Sequence, residues 1–322
     1  MKNEMVNELI GVMRERIPKG SNLANSLMEI LCMGKEAIYR RLRGEVAFTF
    51  EEVSLISQHL GISLDKIVGR RMLNDTMFDL NLLHTGDPIE SYYEILVRYA
   101  KLFDLLRDDP TASVATASNL IPFTFYSPYE CLSKFRLGRW IYHHGKMKPP
   151  ASLSDLQVPD KVPQMHWKLS ASIRQLSHTS FIWDYNIFRS IVKEIRYFAG
   201  LDLLSVEDVR NMKKELGLLL SELEAVTTTG EFSKGHSLAI YLSDINFEAT
   251  YTYVEKGDFQ ACLFRVYSIN SMDSQNPRMC NIQKNWIQSL KRHSTLISQS
   301  SEIQRRQFFN EQREIVESLQ EA

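Results

Sequence analysis

The sequence has little of what defines several common protein classes, beginning with cysteine. Only four cysteines occur in 322 residues, Cys32, Cys131, Cys262 and Cys280, and none of them belongs to a CxxC pair. This scarcity excludes a disulfide framework and a zinc ribbon. We therefore expect the four residues to be buried thiols.

Long apolar runs are also missing. A membrane-spanning helix needs about 18 apolar residues, whereas one of the most continuous apolar runs here covers only residues 216–220. The first residues lead into an amphipathic segment and not into the apolar core of a signal peptide. We expect a cytoplasmic protein without a membrane partner.

An excess of charge of one sign is the third absence. The chain has 38 basic and 39 acidic residues and a net charge of -1, which excludes coating of nucleic acid by the whole surface. Residues 1–71 carry 11 basic and 9 acidic side chains, and the remainder carries 27 and 30. A net charge close to zero for the whole chain is therefore compatible with a local basic patch.

The chain does have the composition of a globular protein, with 44% hydrophobic and 24% charged residues. Its first 70 residues predict five short helices. In the first, Met5, Leu9, Met13 and Ile17 recur at steps of four. The others are predicted over residues 22–31, 35–43, 50–60 and 63–68, the fourth opened by the capping box Thr49-Phe50-Glu51-Glu52.

This pattern resembles the lambda-repressor-like (XRE, or Cro/C1-type) helix-turn-helix family over about residues 4–70. Leu23–Leu31 corresponds to the positioning helix, Cys32-Met33-Gly34 to the turn and Lys35–Arg43 to the recognition helix. The run from Phe50 to Asp65 is similar to the fourth helix and the start of the fifth. Cys32 stands where the family usually has glycine, and Met28 where it has a small residue.

The resemblance implies binding of double-stranded DNA through the third helix, because a major groove admits one helix whose first residues meet base edges. Residues 35–43 contain four basic and one acidic side chain. The same charges would also suit a solvated helix face or a protein-binding module. The expected roles are base reading for Lys35 and Glu36, base or phosphate contact for Tyr39 and Arg40, and phosphate contact for Arg41, Arg43 and Lys19.

The remainder predicts a linker over residues 72–88 and a larger domain over residues 89–322. Helices are expected at 89–106, 129–143, 183–199 and 205–226, with an exposed proline-rich loop at 149–163. Alternating patterns predict strands at 237–242, 250–254, 259–269 and 295–298, followed by a helix over 301–319. The fold class is therefore mainly α: a five-helix domain over residues 1–71, and an α+β domain that is helical over 89–226 with a small antiparallel sheet and a terminal helix over 237–320.

The larger domain contains no motif that indicates a reaction, and we expect neither enzymatic activity nor a cofactor or metal ion. His143-His144 could ligate a metal, but adjacent side chains diverge on a helix. Five aromatic residues could line an effector pocket or form plain core: Trp140, Tyr142, Trp167, Trp183 and Tyr185.

Together these features predict a sequence-specific transcription regulator of bacterial type. Its partners would be DNA, a second copy of the chain and an effector, either a small molecule or a peptide. The terminal helix could pair with that second copy or dock on its own sheet. The alternatives are an enzyme or an interaction adaptor that carries a helix-turn-helix targeting head.

Overall fold

The computed structural model describes residues 2–17, 22–62, 64, 67, 78–80, 87–143 and 153–319. The chain divides into two compact units, Met1–Met77 and Phe78–Ala322. No helix in the described ranges is long and apolar enough to cross a membrane.

The N-terminal unit contains four helices within its described residues: α1 (Lys2–Arg16), α2 (Leu23–Leu31), α3 (Lys35–Leu42) and α4 (Phe50–Leu60). Thr49 and Glu52 form the predicted capping box at the start of α4. Met13, Leu27, Ile38 and Ile56, one from each helix, are fully buried in a common core. The fifth helix, predicted over residues 63–68, falls mostly on residues outside the described ones and stays a prediction.

The larger unit combines a sheet with eight described helices. The strands are β1 (Asp79–Leu80), β2 (Ser113–Ser118), β3 (His178–Asp184), β4 (Glu231–Ser233), β5 (His236–Ser243), β6 (Tyr251–Lys256), β7 (Phe259–Val266), β8 (Asn270–Ser274) and β9 (Ser294–Leu296). The helices are α5 (Pro88–Leu106), α6 (Phe123–Tyr126), α7 (Glu130–His143), α8 (Lys161–Arg174), α9 (Arg189–Ala199), α10 (Val206–Thr229), α11 (Pro277–Arg292) and α12 (Glu302–Glu317).

The strands form one nine-stranded mixed sheet in the order β1-β8-β7-β6-β2-β3-β5-β4, with β9 also paired to β5. The central pairs β2–β3 and β3–β5 are parallel, and the other pairs are antiparallel. The α+β class is confirmed, but the expectation of a small antiparallel sheet is wrong. Because parallel neighbours need crossover connections, the middle of the sheet is assembled from distant segments.

Helices cover both faces of this sheet. Phe181 and Trp183 of β3 point into the main core with α5 and α7–α10, whereas Ile182 between them packs with Cys280 and Ile287 of α11. Side chains alternate along a strand, so α11 lies on the face opposite to the other helices. The unit is thus a three-layer arrangement with most of its apolar core on one side.

The larger unit differs from the sequence prediction at four places. The region 89–226 is not wholly helical, because β2 and β3 lie within it, and the helix predicted over 183–199 begins only at Arg189. Asp79–Leu80, inside the predicted linker, pairs with β8. The proline-rich loop is not fully exposed, because Leu153, Leu156 and Val162 are buried in the main core.

The terminal helix α12 docks on its own chain. Phe308 and Phe309 are buried, and the ring of Phe308 lies 6.1 Å from that of Trp183 between centroids. Of the apolar residues on this helix, Ile303 is exposed. The apolar face of α12 is therefore covered within the larger unit.

Candidate nucleic-acid interface

A tight turn joins α2 to α3. Asn22 caps α2, its Oδ1 accepting a hydrogen bond from the Ala24 amide at 2.8 Å. Cys32 ends the helix in the left-handed conformation, with φ 50° and ψ 41°. Gly34 then returns to an extended conformation and caps α3. The left-handed residue reverses the chain within three residues, so that α3 can pack beside α2.

Only one side of α3 is covered by the N-terminal unit. Ile38 is fully buried against the core residues Leu27 and Ile56. Lys35, Glu36 and Arg40 are exposed, and Tyr39 is half-buried. The Nζ of Lys35 lies 5.9 Å from the centre of the Tyr39 ring, so the two side chains share one patch of surface. The first turn of α3 therefore presents polar groups to solvent.

Arg41 lies on the inner side of α3. Its Nε and Nη2 donate to the two carboxylate oxygens of Glu52 at 2.9 and 2.7 Å, and its Nη1 donates to the Ala37 carbonyl at 3.2 Å. Its side chain is only 14% exposed. The ion pair joins α3 to α4, and the hydrogen bond from Arg41 is the largest cause that holds the pKa of Glu52 below its usual value. The arrangement places Arg41 away from the exposed patch on which it was expected.

Two acidic side chains, Glu36 and Glu45, form ion pairs with the other two arginines of this region, Arg40 and Arg43. Arg43 contacts Glu45 at 2.6 Å and Glu36 at 3.3 Å, and Arg40 lies 3.5 Å from Glu45. All four side chains are substantially exposed, so these ion pairs are weak and exchange easily with water or another anion. Glu45 lies just outside residues 35–43, so the charge of that segment alone does not include its compensating effect.

The exposed patch of α3 consists of Lys35, Glu36, Tyr39, Arg40 and Arg43, and we call it the α3 surface. The structure brings these five predicted residues together and sets Arg41 apart, while Lys19 lies outside the described residues. A cation–aromatic pair beside exchangeable guanidinium groups can contact both base edges and phosphates.

The other predicted groups lie apart from the α3 surface. Trp140 and Trp183 are buried core residues, and Trp167 is 63% exposed. Tyr142 and Tyr185 are half-buried, and none of the five aromatic residues lines the cavities that we describe below or the one beside Tyr253 and Lys284. The expected aromatic pocket therefore does not form at those cavities.

The four cysteines, which were predicted to be buried, differ in their exposure. Cys262 and Cys280 are buried and Cys131 is half-buried, but Cys32 is exposed, because the turn after α2 carries it outward. The prediction of four buried thiols is thus wrong for Cys32.

His143, one of the two histidines that could ligate a metal, is exposed at the end of α7, and His144 lies outside the described residues. Among the described residues, no group of three or more His, Cys, Asp or Glu side chains is placed to hold a metal ion.

No protein-family model matches the chain, and no curated protein or solved structure matches it either.

Proposed function

We propose that the chain is a sequence-specific DNA-binding transcription regulator of the cytoplasm, and that its N-terminal unit inserts α3 into the major groove. The observation that carries this proposal is the α3 surface. Lys35 is exposed and Tyr39 half-buried over the first turns of a short helix whose opposite side is anchored by Ile38. A helix entering the groove needs one free side and one fixed side.

The charges on the α3 surface define how DNA would bind. Lys35, Arg40 and Arg43 face two carboxylates, Glu36 and Glu45, which leaves a small positive excess. A phosphate oxygen competes with Glu45 for the Arg40 and Arg43 guanidinium groups, since both ion pairs are exposed. Binding therefore depends on an exchange of partners and weakens as salt rises.

The first experiment selects binding sites from a randomised duplex DNA library with the full chain. We expect one motif to be enriched. The double substitution Lys35→Ala and Arg40→Ala should weaken binding to that motif by about 30-fold or more, because two lost base contacts at about 1–3 kcal/mol each sum to about 2–6 kcal/mol. Fluorescence anisotropy at several salt concentrations measures the change.

A matched control removes the same charges elsewhere. Lys193→Ala with Arg306→Ala alters two exposed cations of the larger unit, on α9 and α12, and should leave the affinity unchanged. Glu45→Gln should instead strengthen binding to every duplex, since it frees Arg40 and Arg43 for phosphates. The proposal fails if no motif is enriched, or if the double variant binds the motif like the unaltered chain.

In this proposal the larger unit provides sensing, dimerisation or both. A homodimer would recognise two half-sites about 34 Å apart on the duplex. The selected motif checks this, because a dimer predicts an inverted repeat of that spacing and a monomer predicts a single half-site.

A further inference from the structure

The larger unit contains a cavity of about 180 Å³ lined by three arginines. Arg136 and Arg139 come from α7, and Arg265 comes from β7. The exposed His143 also belongs to its lining, so the cavity reaches solvent on that side. Since a water molecule occupies about 30 Å³ of liquid, the space suffices for a small anion. We call it the arginine cavity.

The charges in the arginine cavity do not balance. Among the described residues that line it, Glu194 is the one carboxylate, and it forms an ion pair with Arg139. Arg136 donates to the Tyr126 hydroxyl at 3.2 Å and lies 4.3 Å above the Phe123 ring. Within the described part of the chain, the Arg265 guanidinium has no hydrogen bond and no ion pair. Three guanidinium groups against one carboxylate leave two positive charges without a counter-charge. Arg136 is buried and Arg139 and Arg265 are half-buried, so water compensates these charges incompletely.

The pKa values of neighbouring groups reflect this concentration of positive charge. Burial acts to raise the pKa of Tyr126, but the combined charges of Arg136, Arg139 and Arg265 outweigh it and hold that pKa below its usual value. Burial, together with the charge of Arg136, also lowers the pKa of Arg265. The three guanidinium groups therefore act on one small region.

Several hydrogen-bonding groups of the arginine cavity also lack partners. The Nε atoms of Arg136 and Arg139 and the Oγ of Ser268 are buried and make no hydrogen bond. Arg136 is only 6% exposed, so water cannot readily satisfy it. Buried polar atoms of this kind are normally paired. An oxyanion offers the acceptors that these donors lack.

We propose that the arginine cavity binds a phosphoryl group, supplied as free phosphate or as a phosphate monoester. Planar guanidinium groups match phosphate geometry through paired hydrogen bonds. A phosphate monoester carries a charge of about -1.5 to -2 at neutral pH, which balances the two uncompensated charges, whereas a carboxylate would leave one.

A second cavity provides room beside the phosphoryl group. It measures about 90 Å³, shares Arg136 and Arg265 with the arginine cavity, and is lined largely by apolar side chains such as Leu96 and Phe103. The small apolar substituent of a monoester fits this space, and free phosphate would leave it empty. This assignment is independent of DNA binding by the N-terminal unit.

The test measures binding of inorganic phosphate and of phenyl phosphate to the full chain by calorimetry and thermal melting, at constant ionic strength. Both probes should raise the melting temperature in a saturable manner. In Arg265→Met, binding should weaken at least tenfold, while the ligand-free protein should melt at the same or a higher temperature because a repelling charge is gone. Arg306→Met, which removes an exposed cation outside the cavity, should bind as the unaltered chain does.

Tighter binding of phenyl phosphate would assign a monoester, and equal binding would assign free phosphate. The proposal is overturned if neither probe binds, or if Arg265→Met responds as strongly as the unaltered chain. It is also overturned if benzoate binds and the two phosphates do not. Melting of ligand-free Arg265→Met at a much lower temperature would likewise contradict it, since Arg265 would then be stabilising the fold.

Discussion

At the scale of single residues, Cys32 holds a conformation that suits glycine better. Its φ of 50° puts the Cβ close to the following carbonyl oxygen, which costs an L-residue about 1 kcal/mol. Cys32→Gly should therefore stabilise the N-terminal unit by about 1 kcal/mol and raise its melting temperature by several degrees. Thermal melting followed by circular dichroism measures the shift.

Cys32→Ala is the matched control for that substitution. It removes the thiol, whose Sγ lies 3.7 Å from the Glu29 carbonyl oxygen, but keeps the Cβ. Its melting temperature should stay close to that of the unaltered chain. Equal stabilisation by both variants would show that the thiol, and not the backbone conformation, limits stability.

Arg41 shows why a count of charges along a helix overstates the charge on its surface. The sequence places four cations in residues 35–43, but it does not reveal that one of them turns inward to Glu52. Glu52 had been identified from the sequence only as a capping residue, a role it keeps by accepting from the Thr49 amide at 2.9 Å. A carboxylate that serves a cap and an ion pair cannot be recognised from local spacing.

At the scale of elements, the junction of α10 with β4 depends on Gly230. Its φ of +68° is left-handed, and a Cβ added there would lie 2.6 Å from the Cδ and 2.7 Å from the Nε2 of Gln299. Gly230→Ala should therefore destabilise the larger unit by about 2 kcal/mol or more, through both strain and the clash. Denaturant unfolding measures the loss.

The two causes can be separated with Gln299→Ala. That substitution removes the clashing side chain and its hydrogen bond to the Thr229 carbonyl. In the double variant only the backbone strain of about 1 kcal/mol should be added to the loss in Gln299→Ala. Strictly additive losses would contradict the clash.

Elements with strong local signals were predicted well from the sequence. The Thr49 capping box opens α4 as expected, the helix predicted over 205–226 is α10, and the strands predicted at 250–254 and 259–269 form the β6–β7 pair. Each of these features is fixed by side chains and backbone groups within a few residues. The terminal helix α12 was recognised for the same reason.

The two central strands were missed because their signals are not local. In β2, Ser, Thr and Ala side chains replace an apolar alternation, and Thr116 instead meets the Thr252 hydroxyl on β6 at 3.1 Å. In β3, Phe181, Ile182 and Trp183 form a continuous apolar run, because helices cover both faces of the sheet. Such a run cannot be distinguished from a buried helix by its period.

Helix α11 was also missed, although its caps and spacing are regular. Gln283 interrupts its apolar stripe, yet this side chain is buried and donates from Nε2 to the Thr252 carbonyl at 2.6 Å and the Leu263 carbonyl at 3.2 Å. Ile282 and Trp286 are apolar but exposed, so the apolar residues of this helix do not all lie on its buried face. The Gln283 side chain faces the sheet because its amide bonds to two strand carbonyls, and these partners are distant in the sequence.

At the scale of the whole molecule, stability should depend on pH through His166. This residue is buried, its Nε2 lies 3.0 Å from the Tyr92 hydroxyl, and burial together with Arg136 lowers its pKa to about 4. In the unfolded chain the histidine has its ordinary pKa of 6.5. Between these values only the unfolded chain takes up the proton, so the contribution is fully present above about pH 6.5 and is lost as pH falls toward 4.

The size of this effect follows from the difference between a pKa of 6.5 in the unfolded chain and about 4 in the folded one, which corresponds to about 3 kcal/mol. Chemical unfolding between pH 7 and 4 should show that loss in the larger unit. His166→Gln cannot take up the proton and should show a flatter profile over the same range. A profile as steep as that of the unaltered chain would assign the loss to other groups.

The net charge of -1 also has a structural meaning at this scale. It averages two concentrations of positive charge, one on the α3 surface and one in the arginine cavity, over a slightly acidic remainder. The sequence allowed the first to be located, because its residues are consecutive. The second joins Arg136 and Arg139 to Arg265, which only the pairing of distant strands brings near them.

The register of the central strands has a consequence for synthesis of the protein. The Ser113 hydroxyl of β2 donates a hydrogen bond to the carboxylate of Glu255 on β6, which lies 142 residues later in the chain. At about 5–20 residues per second, a ribosome needs roughly 7 to 28 s to cover that distance. During this interval β2 has no partner on that side, while the N-terminal unit, whose contacts are local, can already fold. The nascent larger unit therefore presents an open strand edge for many seconds, and such an edge is prone to pair with other chains until β6 has been made.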